Sequence, residues 1–243
     1  MRYVGVDLAW GPRNRTGLAV LDDAGSLLDL GEARSDEEVL AWLAPHTDQA
    51  CVVAFDAPLV VTNPTGRRRC ETELAAVFGR YHAGPHPTNT ARPDLAGGAR
   101  ALRIAEALGL DVDPRSSSPR RALEVYPHPA TIVLFGLPRI LRYKHKPGRD
   151  LTLLRSEAMR LVDLVEGLEH ADPALRLGSN DRWQQVRRTV AAATRKADLK
   201  AVEDLVDAVV CAYVGLFAAL RPELTTVYGS LEEGYIVTPS PPA

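Results

Sequence analysis

Three aspartates interrupt apolar stretches of this sequence. Asp7 ends a short run of valines and glycine, and Asp56 ends the apolar run that begins at Cys51. Asp207 is the one charged residue among the 16 residues from 205 to 220. A charge in such a segment lies either at a solvated end or in a functional site, because burying an unpaired charge is costly. We therefore treat these three aspartates as candidates for chemistry.

Carboxylates gathered in one place favour a divalent metal ion, because they repel one another unless a cation bridges them. Mg²⁺ and Mn²⁺ accept oxygen ligands, and two such ions about 4 Å apart activate an attacking water and stabilise a leaving oxygen. We predict that Asp7, Asp56 and Asp207 are catalytic residues that bind Mg²⁺ or Mn²⁺. Asp204 lies one helical turn before Asp207 and is predicted as a further metal ligand. The alternative is that Asp204 lies on the solvated face of its helix.

Glu124 is a further catalytic candidate. It is the one acid between residues 114 and 149, a segment that carries eight Arg or Lys residues. It stands on a predicted strand, shortly before a proline. We predict that Glu124 either binds the metal ion directly or contacts the residues that bind it. A salt bridge to Arg120 or Arg121 is an equally good interpretation.

The charge of the chain gives a mixed indication about its partners. The formal net charge is −2, so the overall charge of the chain does not indicate a nucleic-acid partner. Basic residues do gather locally, in residues 114–149 and again in residues 182–200. From the first tract and from the three consecutive arginines at residues 67–69, we predict that Arg69, Arg142 and Lys144 bind phosphate and that Tyr143 stacks on a base. The alternative is that they form solvated surface.

The elements that must position these residues follow from apolar periodicity and turn chemistry. Ser35 opens a predicted helix as its N-cap, with Glu38 completing a capping box. Strands are predicted at residues 3–8, 16–21, 26–32, 51–55 and 122–126, with a small terminal pair at 225–228 and 234–237. Further helices are predicted at residues 67–80, 95–108, 151–168 and 199–220.

The element order predicts an α/β fold. Three antiparallel strands are followed by two strands reached through helical crossovers, which is the order of the RNase H-like mixed sheet flanked by helices. We expect one domain over residues 1–243, with insertions at 58–121 and 127–198. Neighbouring parallel strands would bring Asp7 and Asp56 to the same carboxyl edge, where open α/β sheets place their sites.

Several short motifs together resemble domain-of-unknown-function family 429, a group of predicted RNase H-like nucleases. The resemblance runs almost end to end. It implies metal roles for Asp7, Asp56, Asp207 and Asp204. The motifs are Val4-Gly-Val-Asp7-Leu-Ala-Trp10, Phe55-Asp56-Ala-Pro58, Arg69-Cys70-Glu71, Glu124-Val-Tyr-Pro127, Arg142-Tyr-Lys144 and Glu203-Asp-Leu-Val-Asp207-Ala208.

The last of these motifs is also similar to the Asp-x-x-Asp-Ala helix of Holliday-junction resolvases. RNase H enzymes use a glutamate from the first helix, whereas Glu37 and Glu38 of this chain are predicted to cap that helix. This departure favours the resolvase arrangement. The resemblance thus implies a metal-dependent phosphodiester hydrolase, a nuclease acting on DNA or RNA.

Two other functions stay open at this point. The chain could be a catalytically inactive module that binds nucleic acid or a nucleotide, or a phosphotransferase of the related actin-like fold, which usually needs two copies of the fold. Three widely spaced cysteines argue against a disulfide framework and for the cytoplasm. We expect no membrane partner, because the longest charge-poor run is 16 residues and contains Asp207.

Overall fold

The structure, a computed structural model, describes residues 1–11, 14–95 and 97–241. Its strands are β1 (Arg2–Asp7), β2 (Thr16–Leu21), β3 (Leu27–Ala33), β4 (Cys51–Phe55), β5 (Arg120–Glu124), β6 (Thr225–Ser230) and β7 (Gly234–Pro239). Its α-helices are α1 (Asp36–Thr47), α2 (Arg69–Phe78), α3 (Arg100–Ala107), α4 (Pro127–Phe135), α5 (Leu151–Gly167), α6 (Asp181–Ala192) and α7 (Lys196–Leu220). In these ranges no helix has the length and apolar character needed to cross a membrane.

Five strands form one mixed sheet in the order β3-β2-β1-β4-β5. Strand β2 runs antiparallel to both β1 and β3, and β4 runs parallel to both β1 and β5. This confirms the predicted α/β class and the order expected of an RNase H-like sheet. Strands β6 and β7 form a separate antiparallel pair, as predicted.

Helix α7 holds the largest share of the core. Fifteen of its residues are buried, and it packs on β1, β2 and β4 while α5 and α6 pack on it. All five residues of β4 are buried, which explains its continuous apolar sequence, since a strand in the middle of a sheet has no solvated face.

Two glycines let α7 lie directly on the strand backbone. A Cβ atom on Gly5 would collide with the carbonyl oxygen of Ala208, and one on Gly17 would collide with the carbonyl oxygen of Asp204. Gly17 stands opposite Asp7 in the antiparallel pair of β1 and β2. The close approach therefore sets the turn of α7 that carries Asp204 beside the end of β1.

Two helices differ from the sequence prediction. Pro127 and Pro129 were expected to stop a strand through Tyr126, but the strand ends at Glu124 and the prolines lie in the first turn of α4. Proline suits this position because the first N–H groups of a helix need no partner within it. Helix α6 was not predicted, although Asn180 caps it by accepting a hydrogen bond from the Trp183 N–H at 3.0 Å.

The helices predicted at residues 67–80 and 95–108 are present but shorter. They begin at Arg69 and Arg100, and Ala96 lies outside the described residues. The other predicted helices and strands agree with the structure to within a few residues at their ends, where fraying is normal.

We expect Gly5→Ala to lower the free energy of unfolding by at least about 2 kcal/mol, because the new methyl group forces α7 away from β1. Gly167→Ala is the matched control: this helical glycine faces open space, so its replacement should change stability by less than about 1 kcal/mol and upward if at all. Urea unfolding measures both. Equal losses in the two variants would contradict the packing argument.

Candidate functional site

The two strand-end aspartates are joined through the backbone. Asp7 is the last residue of β1, and Asp56 directly follows β4. The backbone N–H of Asp56 donates to the carbonyl oxygen of Val6 at 2.8 Å, so the parallel pairing continues to this point. Both side chains are partly buried. The structure thus places these two residues at the same carboxyl edge of the sheet, as predicted.

Asp207 meets them from α7 and is fully buried. The pKa of Asp7 is raised well above its ordinary value by burial and by the negative charges of Asp207, Asp56 and Asp204, while Lys144 opposes the rise. The pKa of Asp56 is raised to about 7 by burial and by the charge of Asp207, again against the effect of Lys144. The predicted carboxylates therefore form one mutually repelling group, which we call the acidic cluster (Asp7, Asp56, Asp204 and Asp207).

Lys144 supplies a positive charge inside the acidic cluster. Its Nζ lies 2.6 Å from Oδ2 of Asp207, and its side chain is 28% exposed. Burial opposes the charge on Lys144, but Asp207, Tyr143 and Asp7 together hold its pKa well above the ordinary value. The sequence predicted that this lysine binds phosphate, and that role stays a prediction. The structure adds a contact with Asp207 that the sequence did not indicate.

Tyr143 also faces Asp207. Its hydroxyl donates to Oδ1 of Asp207 at 2.6 Å, and the side chain is only 6% exposed. The prediction that Tyr143 stacks on a base is therefore wrong, because its ring is buried and its hydroxyl already has a partner. Oδ2 of Asp207 meets no donor at hydrogen-bonding angles, so Lys144 holds this oxygen by charge alone.

The acidic cluster fits a divalent metal ion by residue type but not by arrangement. Aspartate oxygens are the ligands that Mg²⁺ and Mn²⁺ prefer, and Oδ2 of Asp207 is a buried acceptor without an aligned donor. Within the described ranges, however, no group of three or more Asp, Glu, His or Cys side chains has the geometry to hold a metal ion. The ammonium group of Lys144 already contacts this oxygen, so a metal ion would have to compete with it.

Glu124 lies outside the acidic cluster in a buried ion pair. Its two carboxylate oxygens accept hydrogen bonds from the guanidinium of Arg68 at 2.6 and 2.9 Å, and one also accepts from the Leu59 N–H. The partner is thus Arg68, whereas the sequence suggested Arg120 or Arg121. Burial raises the pKa of Glu124 although Arg68 lowers it. The catalytic role predicted for Glu124 stays a prediction.

The other predicted site residues lie in different surroundings. Asp204 is partly buried and accepts a hydrogen bond from Lys200 at 2.8 Å, so it lies on the solvent side of the acidic cluster. Arg69 is 67% exposed and pairs with Glu73 one helical turn away. The backbone N–H of Arg142 donates to Glu157 at 2.7 Å. Neither arginine lines the cavity beside Asp56, so their role in binding phosphate also stays a prediction.

A cavity of about 340 Å³ opens beside Asp56, and we call it the catalytic-side cavity. Burial and the charge of Lys144 lower the pKa of His128 to about 3, so this histidine is neutral. Sequence reasoning missed His128 and Tyr126, although they follow β5 and so lie at the same sheet edge as Asp56. Polar and aromatic side chains dominate the wall: Trp10, Arg68, His82, His86, Arg92, Tyr126, His128, Lys144 and Lys146.

Comparison with known proteins identifies the family. The family model described as "Protein of unknown function (DUF429)" matches residues 5–233. The chain belongs to this family. The match includes all four members of the acidic cluster and the whole five-stranded sheet except its first three residues. No curated protein and no solved structure matches the chain.

We expect Asp7→Asn to be at least as stable as the unchanged protein in EDTA, because it removes a partly buried charge that its neighbours repel. The unchanged protein should gain about 2.7 kcal/mol from Mn²⁺ at a hundredfold excess over the dissociation constant. The variant should lose most of this gain. Thermal unfolding with EDTA and with Mn²⁺ measures both effects.

Glu124→Gln is the matched control, since it changes a buried carboxylate that already has a cationic partner. It should be less stable in EDTA, by about 3 kcal/mol, and should keep the response to Mn²⁺. If Asp7→Asn instead behaves like this control, Asp7 has a structural role and does not bind metal.

Proposed function

We propose that this protein is a metal-dependent phosphodiester hydrolase, a nuclease acting on DNA or RNA. One observation carries the proposal: Asp7, Asp56 and Asp207 come from two parallel strand ends and a crossing helix to form one group of repelling carboxylates, of which Asp207 is fully buried and the other two are partly buried. Such a group costs stability, and proteins retain costly charge clusters mainly where function needs them.

Within this proposal, the carboxylates of Asp7, Asp56 and Asp207 would hold Mg²⁺ or Mn²⁺, with Asp204 at the solvent side. The bound ion would supply a positive charge for the phosphate and lower the pKa of an attacking water. The basic wall of the catalytic-side cavity, with Lys146 and Arg92, would orient the phosphodiester next to Asp56.

Lys144 acts in this proposal as a built-in cation that neutralises the acidic cluster until a metal ion binds. Its contact with Oδ2 of Asp207 has charge but lacks the angles of a good hydrogen bond. A divalent ion carries twice the charge of the ammonium group and can contact several carboxylates at once. Lys144, whose side chain also lines the catalytic-side cavity, would therefore compete with a divalent ion for this oxygen of Asp207.

The arrangement around Lys144 also keeps a second candidate open, a binding module without turnover. A lysine that stays among the carboxylates would leave no place for a catalytic ion, and the basic cavity would still bind a phosphate backbone. We further propose a cytoplasmic location, because Cys51, Cys70 and Cys211 are all free and buried, as suits a reducing compartment.

Lys144→Met should bind Mn²⁺ at least about tenfold more tightly, because the competing ammonium group is gone. In EDTA the variant should lose about 3 kcal/mol or more, since Asp207 is left buried without its cation. Lys146→Met changes an exposed lysine of the same segment and should alter neither quantity. Titration calorimetry with Mn²⁺ checks the affinity. Unchanged or weaker binding in Lys144→Met would contradict the built-in cation.

The function itself is tested by cleavage of bis(p-nitrophenyl) phosphate and of labelled DNA and RNA strands with Mg²⁺, Mn²⁺ or EDTA. We expect hydrolysis that needs metal and falls by about a hundredfold or more in Asp7→Asn and Asp56→Asn, because each loses a ligand charge. Metal-independent nucleic-acid binding without cleavage would support the binding module instead. Calorimetric ATP binding would favour the actin-like phosphotransferase.

A further inference from the structure

Trp10 is a large aromatic side chain that the fold leaves half in solvent. It is 50% exposed, and it is the only aromatic among the strongly exposed large apolar side chains of the described residues. Indole rings are rarely left in water without a use, because their burial is among the most favourable of all side chains. Trp10 follows Asp7 by three residues and lines the catalytic-side cavity together with Asp56.

Neighbouring arginines hold Trp10 in place. The guanidinium carbon of Arg92 lies 4.5 Å from the centroid of the Trp10 ring, and Arg92 is itself fixed by two hydrogen bonds to Asp94. On the backbone side, Arg100 donates to the carbonyl oxygen of Ala9 at 2.7 Å. The ring therefore has a defined orientation before any ligand arrives, which lowers the entropic cost of binding.

Trp10 lines two cavities. One is the catalytic-side cavity, and the other, of about 450 Å³, we call the Trp10 cavity. Ala57 and Pro58, which directly follow Asp56, also line both. The Trp10 cavity has an apolar floor that includes Leu8, Leu95 and Ala101, and its size falls within the range of pockets that hold small ligands.

The rim of the Trp10 cavity carries charges of both signs. Asp36 and Asp94 pair with Arg100 and Arg92, and Glu37 also lines the cavity. Arg34 and Arg103 line it without an ion pair to any other residue that the structure describes. Arg103 donates instead to the carbonyl oxygens of Gly97 and Gly98. Two guanidinium groups without acidic partners, beside an apolar floor and an exposed indole, match a nucleotide: phosphate outside and a flat base inside.

We propose that the Trp10 cavity binds an unpaired nucleobase of single-stranded nucleic acid, stacked on Trp10, with Arg34 and Arg103 on its backbone. The inference rests on the proposed function. If a phosphodiester of the strand lies beside Asp56, the next nucleotide of the same strand lies at Trp10. A base that is still paired in a duplex is excluded, since stacking inside a cavity requires the base to leave its partner. The substrate class is therefore single-stranded DNA or RNA, or an unpaired end of a duplex.

Fluorescence anisotropy in EDTA tests this site without catalysis. The probes are a fluorescein-labelled strand of 12 nucleotides, as DNA and as RNA, and the blunt DNA duplex of the same sequence. Trp10→Ala should weaken single-strand binding by about 5- to 100-fold, the loss expected for one stacked base, and Trp10→Phe should recover part of it. Duplex binding should be the same in the unchanged protein and in Trp10→Ala.

Leu28→Ala is the matched control, because Leu28 is 43% exposed and lines neither cavity. It should bind every probe as the unchanged protein does, and thermal unfolding confirms that all variants are folded. Three results would overturn the base site. The unchanged protein could fail to bind the single strand, Trp10→Ala could leave that binding unaffected, or Trp10→Ala could weaken the binding of strand and duplex equally. Hydrolysis of the small diester, which has no base, separately decides the proposed function.

Discussion

Contact between the backbone of α7 and the backbone of two strands sets the geometry of this protein. At Gly5 and Gly17 a hydrogen atom stands where any other residue has a carbon, and the helix rests on the strands at those two points. Gly215, on α7 itself, gives a further close approach, since a Cβ atom there would lie 3.4 Å from the Cβ of Ala54 on β4. Because Asp207 lies on the same helix, its distance from the strand ends is fixed by how deeply the helix sits. The acidic cluster is thus a consequence of main-chain packing as much as of charge.

Because α7 packs so closely on the sheet, Asp207 has no access to water, and neighbouring residues must compensate for its lost hydration. A buried carboxylate needs donors or a cation to offset its lost hydration. Tyr143 and Lys144, adjacent in sequence, supply one hydrogen bond and one positive charge. The contacts of Tyr143 and Lys144 with Asp207 therefore hold the segment between α4 and α5 at the edge of the sheet. This also explains why two residues that looked like surface contacts for nucleic acid lie against the acidic cluster.

Local sequence patterns predicted the sheet and the shared location of Asp7, Asp56 and Asp207, because strand order and helical period decide where such residues emerge. They did not predict the role of Lys144, since its contact with Asp207 joins residues far apart in the chain, and periodicity carries no information about such pairs. Helix α6 did leave a local signal, an Asn180 cap followed by apolar residues at helical spacing. Helix α4 was not predicted, because Pro127 and Pro129 were interpreted only as the stop of a strand, whereas proline is equally suited to the first turn of a helix.

The pairing of Arg68 with Glu124 affects how the catalytic-side cavity responds to heating. Arg68 also donates to the carbonyl oxygen of Val60 and pairs with Glu71, which in turn accepts from the Thr88 N–H. The loops around the catalytic-side cavity are thus tied to the end of β5 by buried charges. The cost of removing such charges from water falls as temperature rises, whereas apolar burial gains little more. On heating, the stabilisation from these ion pairs should therefore decrease less than that from the apolar core. The catalytic-side cavity should then keep its shape until the sheet unfolds.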